Sequence, residues 1–167
     1  MNFATWQTSV PTAIRNDSLW KMAAYRLALF LSDVAWADVT KLTSDIRTRS
    51  LADQLFRAVG SISANLAEGY SRGTGRDRAR FYEYALGSAR ESRDWYFKGR
   101  HILGQTVSEH RWNFLAEIIR LLLIMVPDQR GSVLKEEEAP YRTKDESSPE
   151  ELPASHHLLD IVPVSEA

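Results

Sequence analysis

A chain of 167 residues, 44% hydrophobic and 26% charged, has the length of one domain and enough apolar material for a packed core. Its net charge of −1 conceals a split, with a net of +5 over residues 1–134 and −6 over residues 135–167, so a mildly basic body carries an acidic tail. Cysteine is absent, which excludes disulfides, thiolate nucleophiles and sulfur-ligated zinc.

The opening residues lack a basic stretch followed by an apolar one, so no signal peptide is expected. The longest apolar run, Ile118 to Val126, is broken by Arg120 and is far short of the roughly 20 residues of a spanning helix. A cytoplasmic chain is expected. Between Pro11 and Pro127 there is no proline, and no stretch alternates with the period of a strand, so the chain reads as all-α.

Residues 1–16 are set apart as an N-terminal extension. The first expected helix runs from about Asp17, a plausible N-cap, to Thr40, with Trp20, Ala23, Ala24, Leu27, Leu31 and Val34 on one face. The second begins between Ser44 and Ser50 and ends near Ser71. Leu51, Leu55, Val59, Ile62 and Leu66 form a narrow seam along it, and Gly73 suits the position just past its end. The third runs from about Gly75 to His101 behind a Thr74–Asp77 capping box, with Phe81, Ala85, Ser88, Ser92 and Trp95 as its face. Gly87 inside it should cost about 1 kcal/mol relative to Ala, which predicts close helix packing there. The fourth runs from about Val107 to Val126 behind a Thr106–Glu109 capping box and stops at Pro127 and Asp128. Its second half is apolar nearly all round, wider than the stripe one helix face buries, which predicts self-association. Short connections make an up-down-up-down antiparallel four-helix bundle over residues 17–127 the expected architecture. Residues 128–167 are expected to form a disordered acidic tail. Its apolar end, with Leu158, Leu159, Ile161, Val162 and Val164, does not suit a purely solvating segment and fits docking on the bundle or on a partner.

No catalytic residue, metal site or cofactor is expected. The positions three before His101, His110, His156 and His157 are Lys98, Val107, Pro153 and Ala154, so the Glu-x-x-His pairs of a di-iron bundle are missing. Gly73-Thr74-Gly75 has neither the strand nor the Lys of a phosphate loop. Charge is more informative. Residues 71–80 hold Arg72, Arg76, Arg78 and Arg80 against one Asp, and Arg90, Arg93, Lys98 and Arg100 follow on the third helix. Arginine forks suit phosphate oxygens, so these eight residues are the candidate backbone-reading nucleic-acid surface. The alternative is a solvated face in which they pair with Asp77, Glu83, Glu91 and Asp94. Asn65 and Glu68 are read as groups that bond a neighbouring helix or an Arg.

The run Leu51-x-x-Gln54-Leu55-x-Arg57-Ala58-x-x-Ser61-Ile62-x-x-Asn65-Leu66-Ala67-Glu68-Gly69 is followed by Arg80-Phe81, Ala85-x-Gly87-Ser88 and Glu91. Together these resemble the 23S rRNA intervening-sequence proteins, small bacterial four-helix bundles, over about residues 17–126. Leu66 stands where that family usually has Ile, and the tail is an extension most members lack. The resemblance marks Asn65, Glu68, Gly69, Gly87 and Ser88 as shared structural positions. It implies a homopentamer without catalysis. It also implies a relationship to the accessory variability protein of diversity-generating retroelements, which binds nucleic acid and engages a reverse transcriptase. A non-catalytic nucleic-acid-binding accessory protein is the first expectation, and a protein-only scaffold the second.

Overall fold

The computed structural model describes residues 2–130 and 156–165, and the regular structure in them is helical. The acidic run 131–155, expected to be disordered, lies outside the described residues.

Helix α1 (Phe3–Ser9) starts at Asn2, whose side-chain oxygen accepts from the Thr5 amide at 2.8 Å and satisfies one orphan first-turn donor. A single turn, α2 (Thr12–Arg15), follows Pro11. Asp17 does cap, but it caps a 3-10 turn over Ser18–Lys21, accepting from the Leu19 amide at 2.8 Å. The long helix α3 (Ala23–Thr43) begins later than its apolar spacing suggests. Residues 2–16 therefore belong to the folded body, with Phe3 and Trp6 buried.

Three more long helices follow: α4 (Arg49–Tyr70), α5 (Gly75–Leu103) and α6 (Gln105–Arg130). The seam of α4 is as expected, with Leu55, Val59, Ile62 and Leu66 fully buried and Leu51 half-buried. The capping box of α5 also forms: the Asp77 amide donates to Thr74 Oγ1 at 3.1 Å, and that hydroxyl meets Asp77 Oδ2 at 2.7 Å. The one at Thr106 does not. Gly104 alone joins α5 to α6, and its φ of +88°, unfavourable for a residue with a Cβ, starts α6 two residues early. Glu109 instead accepts from the Gln105 side chain at 2.7 Å. Nor do Pro127 and Asp128 end α6, which continues to Arg130. So close to a C-terminus the proline forfeits only one helix bond, and the last turn is tied to α5 by Arg130–Glu83 at 2.7 Å.

Consecutive long helices pack side by side, while α3 touches α6 only sparingly. That seam is filled by the ends of the chain. Phe3 and Trp6 of α1 meet Phe30 of α3 at ring distances of 5.2 and 5.1 Å, and Phe30 meets Phe114 of α6 at 5.8 Å. The short helix α7 (His156–Asp160) packs on α1 and α6 and buries Leu159. The expected docking on the bundle is met, and two other expectations are corrected: the tail is helical rather than disordered over residues 156–160, and the apolar half of α6 needs no second copy to bury it. The apolar end of the tail docks on the body through Leu159 and Val162, whereas Ile161 and Val164 are exposed. The apolar half of α6 is covered within one chain: Ile118, Ile119, Leu121, Leu122, Met125 and Val126 are buried, leaving Ile124 exposed.

Candidate nucleic-acid interface

The turn between α4 and α5 gathers the first four arginines, and they are not equivalent. Arg72 pairs with Glu68 one helical turn back and lies over the Phe81 ring at 4.4 Å. Arg78 donates to the Arg72 carbonyl at 2.9 Å, which fastens the start of α5 to the turn. Arg76 is exposed. Arg80, also exposed, donates to the Tyr84 hydroxyl at 2.7 Å and lies 5.7 Å from that ring.

The pattern repeats at the other end of α5. Lys98 sits 4.1 Å from the Trp95 ring while pairing with Asp94 at 2.5 Å. Arg100 sits 4.0 Å from the Phe97 ring and donates to the Phe97 carbonyl. Arg90 and Arg93 line a shallow groove of about 360 Å³ with Asp94, Phe97 and Trp112 on the α6 side. The eight candidate residues therefore form two clusters, about 24 Å apart over the sixteen residues from Phe81 to Phe97. Each holds cations over aromatic rings. The ion pairs of the alternative reading are present for Arg72 and Lys98, though Glu68 rather than an acid of α5 holds Arg72. Sequence reading missed the rings, although Tyr84 and Phe97 stand four and three residues from Arg80 and Arg100.

The shared-motif positions are structural in different ways. Asn65 bonds its own helix, donating to the Ser61 carbonyl at 2.8 Å. A Cβ at Gly69 would lie 2.8 Å from the Tyr82 ring and 2.9 Å from Phe81 Cβ, so this glycine sets how closely α4 and α5 approach. Gly87 overturns its expectation: it faces open space, and the close approaches on α5 fall at Gly75, where a Cβ would strike the Gln129 carbonyl oxygen of α6, and at Gly99, where one would come within 3.1 Å of Leu42. Ser88 donates to the Tyr84 carbonyl at 3.0 Å. The buried stripe of α5 is Tyr82, Ala85, Ala89, Ser92, Tyr96, Gly99 and Leu103, while Phe81, Ser88 and Trp95 are only half-buried at its edge.

A second constellation is fully buried. Arg111 of α6 and Asp38 of α3, both 0% exposed, form a two-pronged ion pair through Nε at 2.8 Å and Nη2 at 3.2 Å. The Tyr96 hydroxyl donates to the same carboxylate at 2.9 Å. Burial, and secondarily the Asp38 charge, pushes the Tyr96 phenol well above its usual value of 10. His110 Nδ1 faces Arg111 Nη1 at 2.8 Å, and since guanidinium only donates, that nitrogen accepts. The ring is thereby the Nε2–H tautomer, donating to the Leu158 carbonyl at 2.8 Å. Arg111 Nη2 donates to the Pro163 carbonyl at 2.7 Å, and the Ser165 hydroxyl to Asp38 at 3.0 Å. Asp38, four residues past Val34, and Arg111, four before Leu115, stand at seam spacing, a readable sign of charges facing the core.

Among the described residues no group of His, Cys, Asp or Glu could hold a metal ion, and no helix is long and apolar enough to cross a membrane. Fold and surface thus define a class: a helical bundle with cation-over-ring clusters outside and a charge pair inside. The chain belongs to the 23S rRNA-intervening sequence protein family, whose family model matches residues 21–122. No curated protein and no solved structure matches it.

Proposed function

We propose that this chain is a non-catalytic nucleic-acid-binding protein, and that α5 with the α4–α5 turn is its binding face. The observation that carries this reading is the repeated seating of cations on partly exposed rings: Arg72 on Phe81, Arg80 on Tyr84, Lys98 on Trp95 and Arg100 on Phe97. Such a surface offers charge to phosphates and flat faces to unpaired bases, the combination that holds single strands with little sequence preference. The family description, an intervening sequence of 23S rRNA, is consistent with RNA as the partner. On this reading α3 to α6 are an up-down-up-down four-helix bundle. Copies associate, five in the family expectation, and a reverse transcriptase is a candidate partner of the assembly.

The test is binding of single-stranded RNA at varied salt. Arg72, Arg76, Arg78 and Arg80 changed together to Ala should weaken binding to all sequences alike and flatten the log–log salt slope by about 0.7 for each phosphate no longer neutralised. Tyr84→Ala should cost about 1–3 kcal/mol if a base stacks there. Unchanged affinity in both variants would reject this face. The protein-only scaffold draws on a different observation, the exposed pair of Trp36 and Phe56, 66% and 42% exposed with rings 5.8 Å apart on α3 and α4. We assign that pair to self-association.

A further inference from the structure

We infer that the seam between α3 and α6, above Asp38 and Arg111, is a peptide-binding groove, and that the segment 156–165 of a second copy is its ligand in trans. In the single chain the groove is filled by that segment from the same copy. What the groove reads is specific: two backbone carbonyls, of Leu158 and Pro163, taken by His110 and Arg111; one hydroxyl, of Ser165, taken by Asp38; and one apolar anchor, Leu159. Without a strap, Arg111 Nη2 and Asp38 Oδ1 each lack a bond at the heart of a buried network, so the seat demands an acceptor and a hydroxyl donor together.

The family match separates the seat from its occupant, and the length of the connection points to a second copy. Asp38, Tyr96, His110 and Arg111 all lie within the family match of residues 21–122, whereas the strap lies outside it. The seat therefore belongs to the family body and its occupant to an appendage. The connection is also far longer than the same-chain route requires. His110 and Arg130 are twenty residues apart on α6, about 30 Å. The twenty-five residues between Arg130 and His156 can extend to about 85 Å. A neighbouring copy's groove is in reach, and a segment that fits its own groove fits an identical one. Exchange of such an element is a low-cost route to assembly.

A chain lacking residues 132–154 keeps every described residue but leaves a link of about 10 Å, too short for the same-chain route. Its strap can be seated only in another copy. By sedimentation it should assemble beyond the mass of a chain that ends at residue 131, and an excess of the free peptide HHLLDIVPVS should return it to that chain's mass. The same peptide with Asp in place of the leucine at position 159 should not. In the full-length chain, Ser165→Ala together with Leu159→Asp should raise the affinity for labelled peptide about tenfold or more, because a tethered strap competes at millimolar effective concentration. If that variant loses helicity by circular dichroism, Ser165→Ala alone should still raise it by a smaller factor. Peptide that fails to dissolve the shortened chain's assembly, or that binds equally well with the aspartate, overturns the inference.

Discussion

At the scale of single residues the glycines give a paired contrast. Gly69 and Gly87 both lie inside helices, and both belong to the shared motif, but only Gly69 is wedged against a neighbour. Gly69→Ala should cost about 1–3 kcal/mol by forcing α4 away from the Tyr82 ring, whereas Gly87→Ala should gain up to about 1 kcal/mol from helix propensity alone. Urea midpoints of the two variants should move in opposite directions. The buried pair makes a second contrast. Asp38→Asn leaves the Arg111 charge buried without its counterion and should cost about 3–5 kcal/mol. Tyr96 adds a pH signature. Its folded phenol titrates well above 10 while an unfolded one titrates near 10. The unfolded chain thus gives up a proton that the folded chain holds. This share of stability is complete below pH 10 and drains as pH rises beyond it. Phenolate absorbance should show a tyrosine that ionises only together with alkaline unfolding.

At the scale of elements, what was legible in the sequence was whatever depends on neighbours along the chain. The α4 seam and the Thr74–Asp77 box follow from spacing and local hydrogen bonding, and both are present, while Asp17 caps a 3-10 turn instead of the long helix. Apart from the Thr106 box, which the neighbouring Gly104 displaced, the main failures were decided by something distant. On α5 the stripes through Phe81, Ser88 and Trp95 and through Tyr82, Ala89 and Tyr96 differ by one residue, about 100° of rotation. Both are aromatic and small in alternation, so periodicity cannot choose between them. The N-terminal residues were unreadable as structure because Phe3 and Trp6 have no periodic context, whereas the docking of Leu159 was legible from its apolar run; all three are buried in the gap that α3 and α6 leave. The wide apolar surface of α6 was a real signal, answered within the chain rather than by another copy. The self-association proposed above therefore draws on other surfaces, the Trp36–Phe56 pair beside the exchanged segment 156–165. Trp36→Ser with Phe56→Ser should lower the sedimenting mass without loss of helicity, since neither side chain is part of the buried core. An unchanged mass would remove this pair from the interface.

At the scale of the whole molecule, the separation of +5 from −6 predicts that the acidic run competes with nucleic acid for the proposed binding face. A tethered polyanion samples a basic surface at high effective concentration even when each interaction is weak. The docked strap changes how this must be tested. Removing residues 135–167 would also strip the Pro163 carbonyl and the Ser165 hydroxyl from the Asp38–Arg111 pair, mixing a stability defect with an electrostatic gain. Neutralising charge at constant length separates the two. Changing Glu136, Glu137, Glu138, Asp145, Glu146, Glu150 and Glu151 to their amides moves the net charge from −1 to +6 and leaves every residue of the folded body in place. RNA affinity should rise severalfold in about 0.05 M salt. The gain should fade towards 1 M, where the screening length shrinks to about 3 Å. Thermal stability should stay near that of the parent chain, because the bundle and its strap are unchanged. Should affinity at low salt match the parent chain, the acidic run does not compete for the α5 face, and the charge split serves something other than RNA binding.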